Sequence, residues 1–174
     1  GLTFSGCASM LTQVLPVMAT YGLGYSDGDA TLLLTAHNFG SLAANLLVAA
    51  VHDFLPPARQ MWVYALAALI TVGSSLMMLA MHLSGATGAE SPLAHALPIL
   101  IVVFAFANNV LWLATFIWTV RFAGPVHSAT LHALSDTMRL IVTVPYQFVL
   151  AETFASSLNY TLGLACTMIF SIIG

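Results

Sequence analysis

The 25 residues from Ala96 to Val120, ALPILIVVFAFANNVLWLATFIWTV, contain no formally charged side chain. A helix needs about 20 such residues to cross the hydrocarbon core of a bilayer. Apolar runs of similar character recur on both sides of this one, at roughly 3–22, 30–52, 60–82, 127–151 and 159–174, of which 127–151 alone holds charges well inside it. Six expected spans therefore fill almost all of the 174-residue chain. The breaks between them carry turn chemistry: Gly24 to Asp29, Leu55-Pro56-Pro57-Ala58-Arg59, Ser84 to Pro92, Gly124-Pro125, and Glu152 to Ser157. The runs lack strict alternation and are too long for membrane strands, so helices are expected over a barrel.

Composition agrees. Apolar residues make up 60% of the chain, charged residues 5%, and mean hydropathy is +0.97. A water-soluble surface needs roughly a quarter to a third of charged residues, which this chain lacks. The expected fold class is all-α, a single polytopic six-transmembrane-helix bundle over residues 1–174. With only three arginines and no lysine, a nucleic-acid partner is excluded. No Gly-rich phosphate loop, nucleophile elbow or paired-carboxylate site is present, so an enzyme is not expected. Cys7 and Cys166 lie inside apolar spans and read as buried thiols. The short last span and the apolar start at Gly1, lacking the basic flank of a signal peptide, raise the expectation of a longer parent protein.

Six crossings put both termini, the Leu55–Arg59 loop and the Gly124-Pro125 loop on one side. That side carries Arg59 and Arg121, with Asp53 its one acid, while Asp27, Asp29, Glu90 and Glu152 fall on the other. Positive residues favour the cytoplasmic face or its organellar equivalent, so both termini are expected on the cytoplasmic or matrix side. The membrane is that of the cell surface or the inner membrane of an organelle.

Polar residues within the spans are the candidate functional groups. Asp136 and Arg139 are the charges deep inside a span, each costing about 2.5 to 3.5 kcal/mol near the bilayer centre. Their spacing of three puts them on one helix face, where they can pair. Such a pair serves either a substrate site or the locking of helices together. Asn38 and Asn45 share a face of the second span, and Asn108 and Asn109 lead into Trp112 and Thr115 in the fourth. These amides read as interhelical hydrogen bonds or as the lining of a substrate path. Pro145, six residues beyond Arg139, should kink the fifth span. Gly40, Ser41, Ala43 and Ala44 form a small-residue patch suited to close helix packing.

Six histidines raise a haem or metal reading. His127 and His132 stand about 140° apart around a helix, and no pair shows the i, i+4 spacing that aims two imidazoles at one metal. No metal or cofactor is expected. A haem- or quinone-binding membrane anchor would draw on His37 and His132.

The order of features resembles the major facilitator superfamily. Ala50-Val51-His52-Asp53-Phe54-Leu55-Pro56-Pro57-Ala58-Arg59 is similar to that family's G-x-x-x-D-R-x-G-R-R loop, with Asp53 and Arg59 near its acid and its terminal base. The glycine and first arginine of the motif are replaced. The stretch Phe116 to Pro125, followed by His127 to Leu134, resembles the tenth-to-eleventh helix passage of facilitative large-neutral-amino-acid transporters and their protozoan relatives. Pro145-Tyr146-Gln147-Phe148 and Leu158-Asn159-Tyr160 continue the likeness.

The resemblance implies one six-helix half, C-terminal-like, of a carrier working by alternating access around a midplane site. Its cavity would be lined by Asn38, Asn45, Asn108, Asn109, Trp112, Asp136 and Arg139, with Asp53 and Arg59 in the gating loop. The partners implied are the bilayer, a second six-helix bundle and a small-molecule solute such as an amino acid. The alternative is a non-transporting accessory subunit that reuses the half-transporter fold among other membrane subunits, as in a respiratory or ATP-synthase assembly. The degraded loop motif and the absent lysines suit that alternative; the intramembrane charges and the amide stripe suit the carrier.

Overall fold

A computed structural model describes residues 15–157. Two helices and one long bent helix dominate: α1 (Asp27–Val51), α2 (Pro57–Leu83) and α3 (Ala96–Ser157). A π-helical turn, Met18–Gly22, precedes α1, and a 3₁₀ turn, His52–Phe54, follows it. There is no strand among the described residues.

Three of the helix ends have a plain local cause. Ser26 caps α1: its hydroxyl accepts from the Asp29 amide at 3.2 Å and donates to the Asp29 carboxylate at 2.7 Å. Asp27 and Asp29 in the first turn complement the positive end of the helix dipole. The Pro56-Pro57 doublet starts α2 as well as ending the turn before it, because a proline at the first helical position has no amide that needs a partner. This is why α2 begins three residues ahead of the expected start at 60. Ser84 and Gly85 close α2 with a Schellman motif: the Gly85 amide bonds to the His82 carbonyl at 3.0 Å and the Ala86 amide to the Met81 carbonyl at 2.8 Å. Gly85 has φ +72°, which glycine adopts without a Cβ clash.

The expected break at Gly124-Pro125 is a single-residue reversal. Gly124 has φ +69° and ψ 170° inside α3, and helix resumes directly at Pro125. The returning arm, residues 125–157, runs back along the first: Phe116 and His132, eight residues on either side of Gly124, stack with ring centroids 3.8 Å apart.

Three helical stretches among the described residues are long and apolar enough to cross a membrane: Asp27–Phe54, Pro57–Leu83 and Ala96–Gly124. They cover the expected spans at 30–52, 60–82 and 96–120. The stretch at 127–151 is helical too, but it is not one of those three, since Asp136, Arg139, Pro145 and Gln147 dilute its aliphatic run. Of the expected first span only 15–22 is described, and the span at 159–174 lies outside the described residues, as do Cys7 and Cys166.

α1 and α2 both pack on the first arm of α3 and scarcely touch each other. One core, at the Asp27 end, gathers Leu15, Met18, Leu33, Met78, Ile101 and Phe104. A second, towards the Val51 end, is built from Ala44, Ala67, Ala107 and Val110. At Gly40 the backbones of α1 and α3 meet so closely that a Cβ there would strike the Val102 carbonyl oxygen. The outward faces remain apolar, with Trp62, Leu69, Phe39 and Leu46 exposed, as hydrocarbon rather than water as the solvent would require.

The loops sort into two ends. Asp53 reaches Arg121 with N–O 3.7 Å, joining the α1–α2 turn to the Gly124 bend. At the opposite end the Ala89 amide bonds to the Leu23 carbonyl at 3.0 Å, joining the Gly24 turn to the Ser84–Pro92 loop.

Candidate functional site

Two polar constellations stand out. The first is a layer at mid-depth. The Asn109 amide nitrogen, on the first arm of α3, donates to the Asn45 side-chain oxygen at 2.8 Å and to the Ser41 carbonyl at 3.0 Å. Both acceptors lie on α1, beside the close approach at Gly40. The reversal at Gly124 then fixes what faces this level from the returning arm. Trp112 and Asp136 stand twelve residues on either side of Gly124, and Asn109 and Arg139 fifteen. At 1.5 Å per residue these positions fall about 18 to 22 Å from the bend, close to the middle of a bilayer-spanning helix.

Five of the seven expected path residues, Asn45, Asn109, Trp112, Asp136 and Arg139, thus share one layer. Asn108 is buried beside them. Asn38 does not join it: it is exposed and sits about 10 Å nearer the far end of α1. Asp136 is exposed and Trp112 half-buried. With Asp136 exposed, the described helices leave one side of the layer open.

The second constellation closes the Leu55 end. Gln60, buried to 2% exposure, donates through its amide nitrogen to the His52 carbonyl at 2.9 Å and the Leu55 carbonyl at 2.8 Å. Its side-chain oxygen accepts from Arg121 Nη1 at 3.1 Å. The Tyr64 hydroxyl and His52 Nδ1 share a hydrogen bond of 2.8 Å. The Arg121 guanidinium lies 5.7 Å from the centre of the Trp118 ring, within reach of a cation–π contact. Gln60 therefore ties the end of α1, the start of α2 and the end of the first arm of α3 into one knot. This explains why that arm continues beyond the expected end at 120: Arg121 has partners there. The expected gating loop is also re-sorted by this geometry. Asp53 makes its ion pair with Arg121, while Arg59 is exposed one residue before Gln60.

Sequence reading missed Gln60, Tyr64 and Arg121 as a unit. Their signal is present but weak: Gln60 and Tyr64 stand four apart on one helix face, and Arg121 lies just past an apolar run. The histidines do not assemble a metal centre. No group of three His, Cys, Asp or Glu able to hold a metal occurs among the described residues. Counted from the Asn45–Asn109 level, His37 stands eight residues towards the Asp27 end and His132 seven towards Gly124, which separates them in depth by about 22 Å and argues against a shared haem. At the opposite end Tyr25 has a buried hydroxyl lacking a hydrogen-bond partner, and burial, aided by the Asp29 carboxylate, pushes its pKa up.

No family model, curated protein or solved structure matches this chain.

Proposed function

We propose that this chain is one six-helix half of a secondary transporter for a small solute, built on a plan like that of the major facilitator superfamily and working by alternating access. The observation that carries the reading is the mid-depth layer, in which Asn45 and Asn109 bond across helices at the level of Trp112, Asp136 and Arg139. Charged groups at such depth are costly and mark substrate pathways or proton relays. An acid and a base three residues apart suit the ammonium and carboxylate of an α-amino acid. The open side of the layer is where a second six-helix bundle would close the path. Arg59 and Arg121 share one end of the bundle, and we assign that end, with both termini, to the cytoplasmic or matrix side.

The alternative of an accessory subunit rests on one specific observation: Asn109 satisfies itself on Asn45 and Ser41, which is what helix-locking amides do. Counterflow in proteoliposomes of the purified native protein, with a panel of labelled amino acids, separates the two. The carrier reading expects counterflow that Asp136→Asn abolishes while the protein stays folded and monodisperse. Absence of counterflow from folded protein, or counterflow indifferent to Asp136→Asn, overturns it.

A further inference from the structure

Because α1 and α2 splay apart over α3, they leave a groove of about 260 Å³ between them. Its walls are Leu47 and Val51 of α1 and Leu66 and Ile70 of α2, and its floor is Phe106 and Val110 of α3. Leu47 and Leu66 are exposed, so the groove opens sideways onto the lipid-facing surface. Along α2 it runs from Gln60 to Ile70, about 15 Å at 1.5 Å per residue. That is half of a hydrocarbon core of about 30 Å, the depth of a single leaflet.

The two ends differ. At mid-depth the groove is wholly aliphatic and aromatic. At the membrane surface it ends on His52, Gln60 and Tyr64, with His52 8% exposed and its Nε2 buried and unpartnered. Gln60 passes directly to Arg121, and Arg121 to Asp53 at 3.7 Å, a separation longer than a direct hydrogen bond. A guanidinium and a carboxylate thus stand side by side one hydrogen bond beyond Gln60, at the polar end of the groove.

We infer that this groove holds one acyl chain of a zwitterionic phospholipid of the phosphatidylethanolamine type, with its phosphate on Arg121 and its ammonium on Asp53. The inference needs only that the chain spans a membrane; it stands whether or not the protein transports. Charge complementarity selects the lipid: an anionic headgroup satisfies Arg121 but is repelled by Asp53, and a headgroup without a hydrogen-bonding ammonium leaves Asp53 with Arg121 alone.

The test is retention of lipid by the purified full protein, read by native mass spectrometry. The protein is delipidated and returned to bicelles of phosphatidylcholine doped with dioleoyl-phosphatidylethanolamine or dioleoyl-phosphatidylglycerol. About one ethanolamine lipid per chain is expected, at least fivefold over the glycerol lipid. Arg121→Gln should remove most of that retention, and Val63→Phe, which fills the groove from an exposed position on its wall, should block it. Asp53→Asn, at a position 87% exposed and so harmless to folding, should invert the preference towards the glycerol lipid. Equal retention of both lipids by the unmodified chain, no retention at all, or retention unaffected by Val63→Phe would each overturn the inference. So would cross-linking from position 63 to residues 158–174 in place of lipid, since the chain itself would then be the occupant.

Discussion

Replacing Gln60 by methionine keeps an unbranched side chain of similar length and removes the amide that bridges three helix ends at the Leu55 end, leaving the Tyr64–His52 and Asp53–Arg121 contacts in place. Three hydrogen bonds are lost: to the His52 carbonyl at 2.9 Å, to the Leu55 carbonyl at 2.8 Å and from Arg121 at 3.1 Å. The His52 carbonyl keeps a bond from the Leu55 amide at 3.2 Å, so its loss is partial. Bonds of this kind contribute about 1 kcal/mol each, and one from a charged donor about 1.5 to 3. Arg121 is 41% exposed, and solvent takes over part of its bond, which puts that contribution at the low end. The sum is about 3 kcal/mol, roughly a hundredfold in the folding equilibrium, where about 1.4 kcal/mol is a factor of ten. Reversible unfolding of the purified chain in mixed micelles of mild detergent and dodecyl sulfate, followed by far-ultraviolet circular dichroism, measures it. A loss below about 0.5 kcal/mol, the size of an ordinary surface substitution, would refute the account of Gln60 as the bridge between three helices.

The other predictions use the same unfolding measurement. Gly40→Ala drives a methyl group into the Val102 carbonyl and should cost about 1 to 3 kcal/mol, whereas Gly73→Ala, with open space around it, should be neutral or slightly stabilising; equal effects would deny the close approach of α1 to α3. Asn45→Leu and Asn109→Leu should show a coupling of about 0.6 kcal/mol in a double-mutant cycle, and strict additivity would contradict their interhelical bond. Tyr25→Phe, which removes a buried hydroxyl without a partner, should be neutral or slightly stabilising at neutral pH and flatten the alkaline limb. The folded-state pKa of Tyr25 is raised, so its contribution is complete below the ordinary phenol value of about 10 and fades as pH climbs through the folded value. An alkaline limb identical in the variant would remove Tyr25 as its cause.

The all-helical class and the positions of the three described apolar helices were legible because charges are rare here and those outside the helices, with the loop glycines and prolines, mark the breaks. Gly124-Pro125 is the clearest case: the pair reads as a break, and it is a reversal centred on one residue of positive φ. What faces what was harder to read. In lipid the outward face of a helix is as apolar as the inward one, so periodicity does not say that Leu33 is buried and Leu32 exposed. The amide layer was legible as a set of residue types, since Asn45 and Asn109 interrupt apolar runs. Their pairing was not, because 64 residues separate them. Asn38 shows the limit of face-sharing as a guide: it lies on the stripe of Asn45 yet two turns away in depth. Gln60 stayed hidden because its partners are backbone carbonyls and an arginine 61 residues away, and no spacing within one helix encodes those.

The central claim, that a second bundle closes the open side of the Asn45–Asn109 layer, is tested most directly by extracting the native protein in gentle detergent and measuring the size and composition of what carries this sequence. The account predicts a single species of about twice the 18.4 kDa of this chain, with a second six-helix bundle in the same particle. Stable co-migration with many unrelated membrane subunits would contradict it, and the mid-depth charges would then serve to lock helices together.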